Sequence, residues 1–440
     1  MLDRAGVDAE RRARALFDPE AVDAARRRRN RARAAGVVAI LVVVGAIGTY
    51  VPMTLLAPLN SAAVTAEAPA VASAAATVVP LPQVGASALT VIGAEGFAGT
   101  VGAGGILTSS GATDALPIAS ITKLVTALVV LDAKPIADAE PGPTLTFGRA
   151  DAALYDKYFL RRATIQPMRA GSTISERDAL ELMLVVSASN YAEAVSTWAF
   201  GSQDAYLTAA ETWLAANGLA NTTIVEPTGL DPRNTSTTAD LLALGKLALA
   251  NPVIAAIVGS QTLDVPNFGP LANTNELLGV DGISGIKTGT LDEAGACLLF
   301  SASVDVGAVA PITVVGVVLG GLDHDSLNES VRAMLEGVKA GFHRVPLVTI
   351  GAEIGSYTTQ WGDNATVMAG ETASVLTWSD TPITSSVSMN PIATGAAGSQ
   401  VGTMTFVAGL ETVEVPVELG GTIEEPDEWW RLSHPFELLG

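Results

Sequence analysis

Residues 117–128 read PIASITKLVTAL, an apolar stretch that carries Ser120 and Lys123 three positions apart. On a helix, positions i and i+3 share one face, so the lysine amine can reach the serine hydroxyl. A serine becomes a good nucleophile only when a base takes its proton. Lysine can be that base when burial and a second positive charge lower its pKa from about 10.4 towards about 7–8. Taken alone, S-x-x-K is common by chance, and a lysine that extends its amine to solvent is the simpler interpretation.

A second polar motif stands at the end of a glycine-bounded strand pattern, GISGIKTGT. A K-T-G strand offers a cation, hydroxyls for a substrate carboxylate and a position without a side chain, where a peptide backbone can lie alongside. The residues of this motif are Lys287, Thr288, Gly289 and Thr290.

A third motif lies between the other two, where LMLVVSASNYAEA breaks an apolar helical pattern with polar residues. In chain order the three motifs resemble the active-site set of penicillin-binding proteins and serine β-lactamases. Over residues 85–440 the chain resembles serine D-alanyl-D-alanine carboxypeptidases, the low-molecular-weight penicillin-binding protein family. Residues 218–249 add P-T-G-L-D and S-T-x-x-D-L to the resemblance, and we expect them to shape a loop and a helix beside the site.

The resemblance implies a bacterial enzyme that trims the terminal D-alanine from peptidoglycan stem peptides through a serine acyl-enzyme. It also implies that β-lactams acylate the enzyme and that no metal or cofactor takes part. Ser120 would be the nucleophile, Lys123 its general base and Ser187 the proton relay to the leaving amine. Lys287 would keep Lys123 neutral by like-charge repulsion and help to bind the terminal carboxylate.

The remaining roles that the resemblance implies fall on the K-T-G strand and on the backbone. Thr288 and Thr290 would donate their hydroxyls to the substrate carboxylate, with Gly289 between them. The backbone N–H groups of Ser120 and Thr290 would form the oxyanion hole, worth about 3–4 kcal/mol per donor. Water is the usual acceptor, and an amine acceptor would make the enzyme a transpeptidase.

The chain departs from the family at the second motif, which is Ser-x-Asn in the family. Here those positions read Ser187, Ala188 and Ser189, with Asn190 one residue late. An amide both donates and accepts, whereas a serine hydroxyl is shorter and cannot hold both partners at that reach. Ser189 with a water could substitute, the loop could slip to present Asn190, or catalysis could be impaired. The last alternative predicts a non-catalytic cell-wall-binding scaffold.

Other chemistries find little support in the sequence. His324, His343 and His434 all follow the K-T-G strand, no H-E-x-x-H is present, and we expect His324 in a helix-entry turn. Cys297 stands in an apolar run and is expected to be buried. A serine β-lactamase would need an acid to activate water, and ETWLA at Glu211 lacks the asparagine that usually follows, so we expect helix surface there.

An uncharged apolar stretch near the N-terminus, residues 37–57, is long enough to span a bilayer and follows RRRRNRARA. The basic flank predicts a cytoplasmic N-terminus, a single pass and an extracytoplasmic catalytic domain at the bacterial cell membrane. A cleaved signal peptide is the alternative. Residues 1–33 carry a net charge of +4, so the remainder carries −24, which disfavours nucleic acid as a partner.

Strand patterns stand on both sides of a helical block at residues 117–258, which predicts one sheet built from both ends of a domain with a helical lobe inserted. We therefore predict an α+β fold of the penicillin-binding-protein and β-lactamase type, a small all-β C-terminal domain and an N-terminal transmembrane helix. Trp429 and Trp430 either contact the cell wall or membrane, or pack against the β domain. The predicted boundaries are 1–34 (basic tail), 35–57 (anchor), 58–84 (Ala/Pro-rich linker), 85–344 (peptidase domain) and 345–440 (β domain).

Overall fold

The computed structural model describes residues 11–12, 19–97 and 105–439. The rest of the predicted basic tail lies outside the described residues. The helices are α1 (Pro19–Leu55), α2 (Thr122–Ala133), α3 (Arg149–Phe159), α4 (Glu176–Leu184), α5 (Ser189–Phe200), α6 (Gln203–Ala216), α7 (Thr238–Ala250), α8 (Pro252–Val258), α9 (His324–Ala340), α10 (Glu428–Ser433) and α11 (Pro435–Leu439).

The strands lie between these helices, singly or in runs. They are β1 (Ala63–Ala66), β2 (Ala86–Ile92), β3 (Ile106–Ser110), β4 (Leu116–Pro117), β5 (Thr144–Thr146), β6 (Thr173–Ser175), β7 (Thr235–Ser236), β8 (Thr262–Val265), β9 (Gly269–Ala272), β10 (Ile283–Leu291), β11 (Gly295–Val304), β12 (Ile312–Gly321), β13 (Phe342–Val348), β14 (Glu353–Thr358), β15 (Asn364–Ala369), β16 (Ala373–Trp378), β17 (Ile383–Met389), β18 (Gln400–Ala408) and β19 (Glu411–Leu419).

The central sheet confirms the prediction that strands from both ends of the domain join. Its order is β10-β11-β12-β2-β3, and every neighbouring pair is antiparallel. The sheet is buried on both faces, so alternate residues serve two cores: Leu299 and Val315 face the helical lobe, whereas Phe300 and Val314 belong to the cluster under α9. This three-layer arrangement places the K-T-G strand, β10, at one edge.

Helix α2 is the centre of the helical lobe. Its sequence is apolar all round, and its residues 122–131 are all buried, as expected for a helix with no solvent face. It contacts α4, α5 and α6 within the lobe and α7, which packs on the sheet. Helix α4 begins at a side-chain cap, because the Ser175 hydroxyl accepts a hydrogen bond from the backbone N–H of Asp178. Ser120 therefore stands at the entry to a rigid, fully packed helix.

The predicted linker, residues 58–84, is not separate from the folded domains, because parts of it pair with or pack against them. Strand β1 pairs antiparallel with β14 at the edge of a six-stranded sheet, β1-β14-β15-β19-β18-β17. Ala62 belongs to the core of that sheet, and Val79 belongs to the core beneath α9. A run of Ala and Val lacks the aromatics of a core element, but its backbone can complete a sheet edge, and its small side chains fit under neighbouring strands.

The two C-terminal tryptophans have different surroundings. Trp430 packs edge-on against Trp361 of the β domain and stacks on His434, whereas Trp429 is 76% exposed. The packing alternative therefore holds for Trp430 and fails for Trp429. Helix α1 is long and apolar enough to cross a membrane by length and composition, and it continues through the basic run at its start.

Candidate active site

The turn that holds Ser120, a single 3₁₀ turn at Ala119–Ile121, leads directly into α2. Ala119 adopts a left-handed backbone conformation with φ of 45°. Two glycines permit other segments to approach this turn. A Cβ atom on Gly229 would lie 1.9 Å from the Ala119 carbonyl oxygen, and one on Gly289 would lie 3.2 Å from the Ser120 nitrogen. The absence of both side chains lets the turn fit between the 226–231 loop and β10.

Lys123 and Ser120 are in contact, as their spacing predicts. The Lys123 Nζ atom lies 2.8 Å from Ser120 Oγ and 2.7 Å from the carbonyl oxygen of Thr228. The Lys123 side chain is fully buried. Burial lowers its pKa from about 10.5 to about 7, against the negative charge of Glu226, which raises it. A substantial fraction of the amine is therefore neutral near pH 7 and can accept the Ser120 proton.

Ser187 and Lys287 meet on the opposite side of the cluster. Ser187 follows α4 with φ of 63°, and the Lys287 amine donates to its hydroxyl at 3.2 Å and to the Thr288 carbonyl at 3.1 Å. Burial, and then the like charge of Lys123, hold the pKa of Lys287 well below its ordinary value. We predicted repulsion by Lys287 as a cause of the low Lys123 pKa, but burial is what lowers that pKa, and the repulsion between the two amines instead lowers the pKa of Lys287.

The rest of the K-T-G strand is fixed from both sides. The Thr288 hydroxyl lies 2.7 Å from that of Thr274, which in turn donates to the carbonyl of Val185, just before the second motif. The Thr290 hydroxyl lies 2.7 Å from the Nε2 atom of His324. His324 is the first residue of α9, as expected from the sequence, but its contact with the K-T-G strand is new.

The second motif does not slip to present Asn190. The Asn190 amide donates to the Gln166 carbonyl at 2.8 Å and accepts from the Gln166 N–H at 3.1 Å. Ser189 begins α5 and is buried beside it. A buried amide must pair its polar atoms, and those of Asn190 pair with the backbone of Gln166. The prediction that Asn190 contacts substrate is corrected accordingly, because its amide holds the chain at Gln166.

The remaining sequence predictions concern residues outside the cluster. Cys297 is fully buried in β11, and burial raises the pKa of its thiol to about 11. Glu211 is exposed on α6, as predicted for helix surface. Within the described residues no group of His, Cys, Asp or Glu side chains is placed to hold a metal ion.

Sequence reasoning missed several residues that complete the site. Four of them contact the motifs or the turn that holds Ser120 from a distant part of the chain, and the fifth, Glu226, binds the loop that makes such contacts, so no local pattern encodes them. The only available signal was the P-T-G-L-D segment, which we expected beside the site without assigning it a contact. The missed residues are Glu226, Thr228, Gly229, Thr274 and His324.

The three-layer fold and the serine–lysine cluster define the class of the protein. The solved structure of penicillin binding protein 6B from Escherichia coli superposes with a TM-score of 0.54 at 21% identity, covering 78% of this chain and 99% of that one. The chain therefore has the penicillin-binding-protein fold. The sequence profile of D-alanyl-D-alanine carboxypeptidase matches residues 90–321, more than half of the chain, and the protein belongs to that family.

Curated relatives carry two related names. A D-alanyl-D-alanine endopeptidase of Pseudomonas aeruginosa is 34% identical over 198 residues, covering 43% of this chain and 60% of the relative. D-alanyl-D-alanine carboxypeptidase DacC of Escherichia coli is 27% identical over 278 residues, covering 62% of this chain and 68% of the relative. This chain thus spans less than two thirds of the length of the Pseudomonas relative.

Proposed function

We propose that this protein is a serine peptidase that removes the terminal D-alanine from peptidoglycan stem peptides through an acyl-enzyme. The observation that carries the proposal is the buried Lys123 amine, 2.8 Å from the Ser120 hydroxyl and with a pKa of about 7. Membership of the D-alanyl-D-alanine carboxypeptidase family supplies the substrate class.

In acylation, Ser120 Oγ attacks the carbonyl carbon of the penultimate D-alanine and Lys123 takes its proton. The backbone N–H groups of Ser120 and Thr290 stabilise the negative charge on the carbonyl oxygen. The bond from this carbon to the nitrogen of the last residue then breaks, and the leaving amine receives a proton through Ser187. Hydrolysis of the resulting ester by water restores the Ser120 hydroxyl and releases the shortened peptide.

Recognition of the terminal carboxylate falls to the K-T-G strand. Lys287 lies between Ser187 and the Thr288 carbonyl, so it contributes positive charge at the point where the leaving group is held. Thr288 and Thr290 supply hydroxyls. Penicillins carry an amide and a carboxylate in a comparable arrangement, so the same groups bring the β-lactam carbonyl to Ser120, and the ring opens to a stable ester.

Cleavage within a cross-linked peptide is the second candidate activity. The relative with 34% identity is named a D-alanyl-D-alanine endopeptidase, whereas the carboxypeptidase DacC is 27% identical. The acyl half of the reaction is the same in both activities. Only the amine that leaves differs, being free D-alanine in one case and a second peptide in the other.

The proposed location is the outer face of a bacterial cell membrane, with α1 as a single-pass anchor. Its apolar part is long enough to span a bilayer, and the arginine-rich run on its N-terminal side favours retention in the cytoplasm. This orientation leaves the peptidase and the β domain on the side where peptidoglycan is found.

The test is the intact mass of the full chain, in detergent, after incubation with penicillin. A single penicilloyl adduct is expected on the wild type and none on Ser120→Ala, with Ser330→Ala on the outer surface of α9 as the matched control. An adduct that persists on Ser120→Ala would refute the assignment of the nucleophile. No adduct on the wild type would favour the non-catalytic scaffold.

Two substrates separate the activities. Release of D-alanine from a peptide that ends in D-Ala-D-Ala supports the carboxypeptidase, and cleavage of a cross-linked muropeptide dimer supports the endopeptidase. Rapid turnover of nitrocefin without a lasting adduct would instead indicate a β-lactamase.

A further inference from the structure

Glu226 is an acidic residue at the active site to which neither the family motifs nor the proposed reaction gives a role. Its carboxylate accepts hydrogen bonds from both side-chain and backbone donors of the loop that follows it. These donors are Thr228 N (2.8 Å), Thr228 Oγ1 (2.6 Å), Gly229 N (2.6 Å), Leu230 N (2.9 Å), Asp231 N (3.4 Å) and Asn234 Nδ2 (2.8 Å).

We propose that Glu226 is a positioning residue for the Ser120–Lys123 pair: its carboxylate folds the 226–231 loop against the pair and places a negative charge beside the Lys123 amine. This inference rests on the proposed function, because it assigns the loop a part in activating the same nucleophile.

Two successive residues of the loop connect Glu226 to the Ser120–Lys123 pair. The N–H of Thr228 binds Glu226, while the carbonyl of the same residue accepts from Lys123 Nζ at 2.7 Å. The N–H of Gly229 also binds Glu226, and the Gly229 backbone lies directly against the Ala119 carbonyl. Consecutive N–H groups that converge in this way form a concavity that binds an anion, here the Glu226 carboxylate. Without the carboxylate, the Thr228 carbonyl has no fixed position from which to hold Lys123.

The Lys123 amine also interacts electrostatically with the titratable groups around it. Within the described residues, the charged groups that interact with Lys123 are Lys287 on β10 and Glu226 in the loop. Tyr206 on α6 pairs through its hydroxyl with Thr126 and interacts with Glu226. Burial raises the pKa of Tyr206, so this residue stays neutral near pH 7. Glu226 is therefore the group whose negative charge offsets the burial of the Lys123 amine.

The hydrogen bonds that the Glu226 carboxylate accepts distinguish its positioning role from that of a general base. Each oxygen of Glu226 already accepts at least two short hydrogen bonds, several of them from backbone N–H groups that cannot turn away. A base that activates water needs a free lone pair directed at that water. Glu226 acts through Lys123 and not on a reacting atom.

The experiment measures the rate of acylation of the full chain, in detergent, by a fluorescent penicillin between pH 5 and 9. Glu226→Gln removes the charge and exchanges one acceptor for a donor. Its maximal rate should fall about 10- to 100-fold, and the midpoint of its acidic limb should move about one pH unit lower, because Lys123 loses a neighbouring negative charge.

Two further variants separate charge from geometry. Glu226→Asp keeps the charge but shortens the side chain, so its rate should fall while its midpoint stays near that of the wild type. Glu211→Gln is the matched control: it removes an acid on the exposed surface of α6, outside the loop and the active site. Both its midpoint and its rate should match the wild type.

The inference is overturned by a Glu226→Gln profile with the wild-type midpoint, whatever its maximal rate, since a purely structural role moves no midpoint. Unchanged acylation with accumulation of the acyl-enzyme would also overturn it, because that result identifies a base for deacylation. Failure of the wild type to form an adduct at any pH defeats the proposed function, and the inference with it. Thermal unfolding of each variant confirms that it is folded.

Discussion

The Lys287 amine lies 3.2 Å from the Ser187 hydroxyl, although the two residues are 100 positions apart in the chain. One belongs to an edge strand and the other to the break between two helices of the lobe. The contact therefore joins the sheet to the lobe across the cleft that holds Ser120. It also explains why two lysines can both be buried here: each amine has oxygen acceptors in place of water.

Replacing Lys123 by arginine is expected to slow acylation strongly. A guanidinium remains protonated at every accessible pH, so it cannot take the Ser120 proton, and the penicillin acylation rate should fall by about 10²- to 10⁴-fold. The wild-type rate should rise with pH through about 7, where Lys123 loses its proton. The measurement is the rate of fluorescent-penicillin labelling, with Lys339→Arg at the exposed end of α9 as control. Wild-type labelling by Lys123→Arg would rule out the base assignment.

The buried lysine should make stability increase with pH above neutrality. Lys123 is protonated in the unfolded chain up to about pH 10.4 but in the folded chain only up to about pH 7. Between these values the unfolded state binds more protons, so the free energy of unfolding rises with pH, and Lys287 contributes in the same direction.

Lys123→Met tests this linkage by removing the titrating group at nearly constant volume. The variant should melt higher than the wild type at pH 7, and its Tm should rise less between pH 7 and 9. Lys339→Met should keep the wild-type slope. Parallel slopes for wild type and Lys123→Met would contradict a lowered pKa at this site.

Glycine 229 should be far less replaceable than a glycine with the same backbone conformation elsewhere. Gly229 and Gly171 have φ of 87° and 86°, but a Cβ on Gly229 would overlap the Ala119 carbonyl, whereas one on Gly171 meets nothing within 4 Å. Both alanine variants incur about 1–2 kcal/mol for the left-handed backbone. Only Gly229→Ala also displaces the turn that holds Ser120, so its acylation rate should fall about 100-fold. Equal acylation rates for the two variants would show that the close approach to Ala119 has no catalytic consequence.

Alanine substitutions at Asn190 and at its neighbour Ser189 should differ sharply in how far they lower the free energy of unfolding. Asn190→Ala removes the side-chain partners of the N–H and carbonyl of the half-buried Gln166, so the free energy of unfolding should fall by about 1–3 kcal/mol. Ser189→Ala should cost less than about 1 kcal/mol. Urea denaturation of both variants measures the difference, and a larger loss for Ser189→Ala would reverse the roles given to these two residues.

Much of the fold could be predicted because its signals are local. The spacing of Ser120 and Lys123 follows from the helical repeat, and the Ser175 cap follows from the chemistry of a helix start. Strand patterns on both sides of a helical block predicted the shared sheet. The packing of residues 58–84 against the β domain could not be predicted, since Ala and Val fit an edge strand and an extended linker equally well.

By itself, the sequence determined the candidate site motifs and on what kind of element each one stands, because periodicity, capping and short motifs act over a few positions. The tertiary structure alone decided what those residues touch. Three contacts depend on how separate elements pack. The Asn190 amide binds Gln166, the Glu226 carboxylate binds the 226–231 loop, and His324 lies against Thr290. A hydrogen bond between distant segments is set by their relative placement, and no spacing along the chain encodes it.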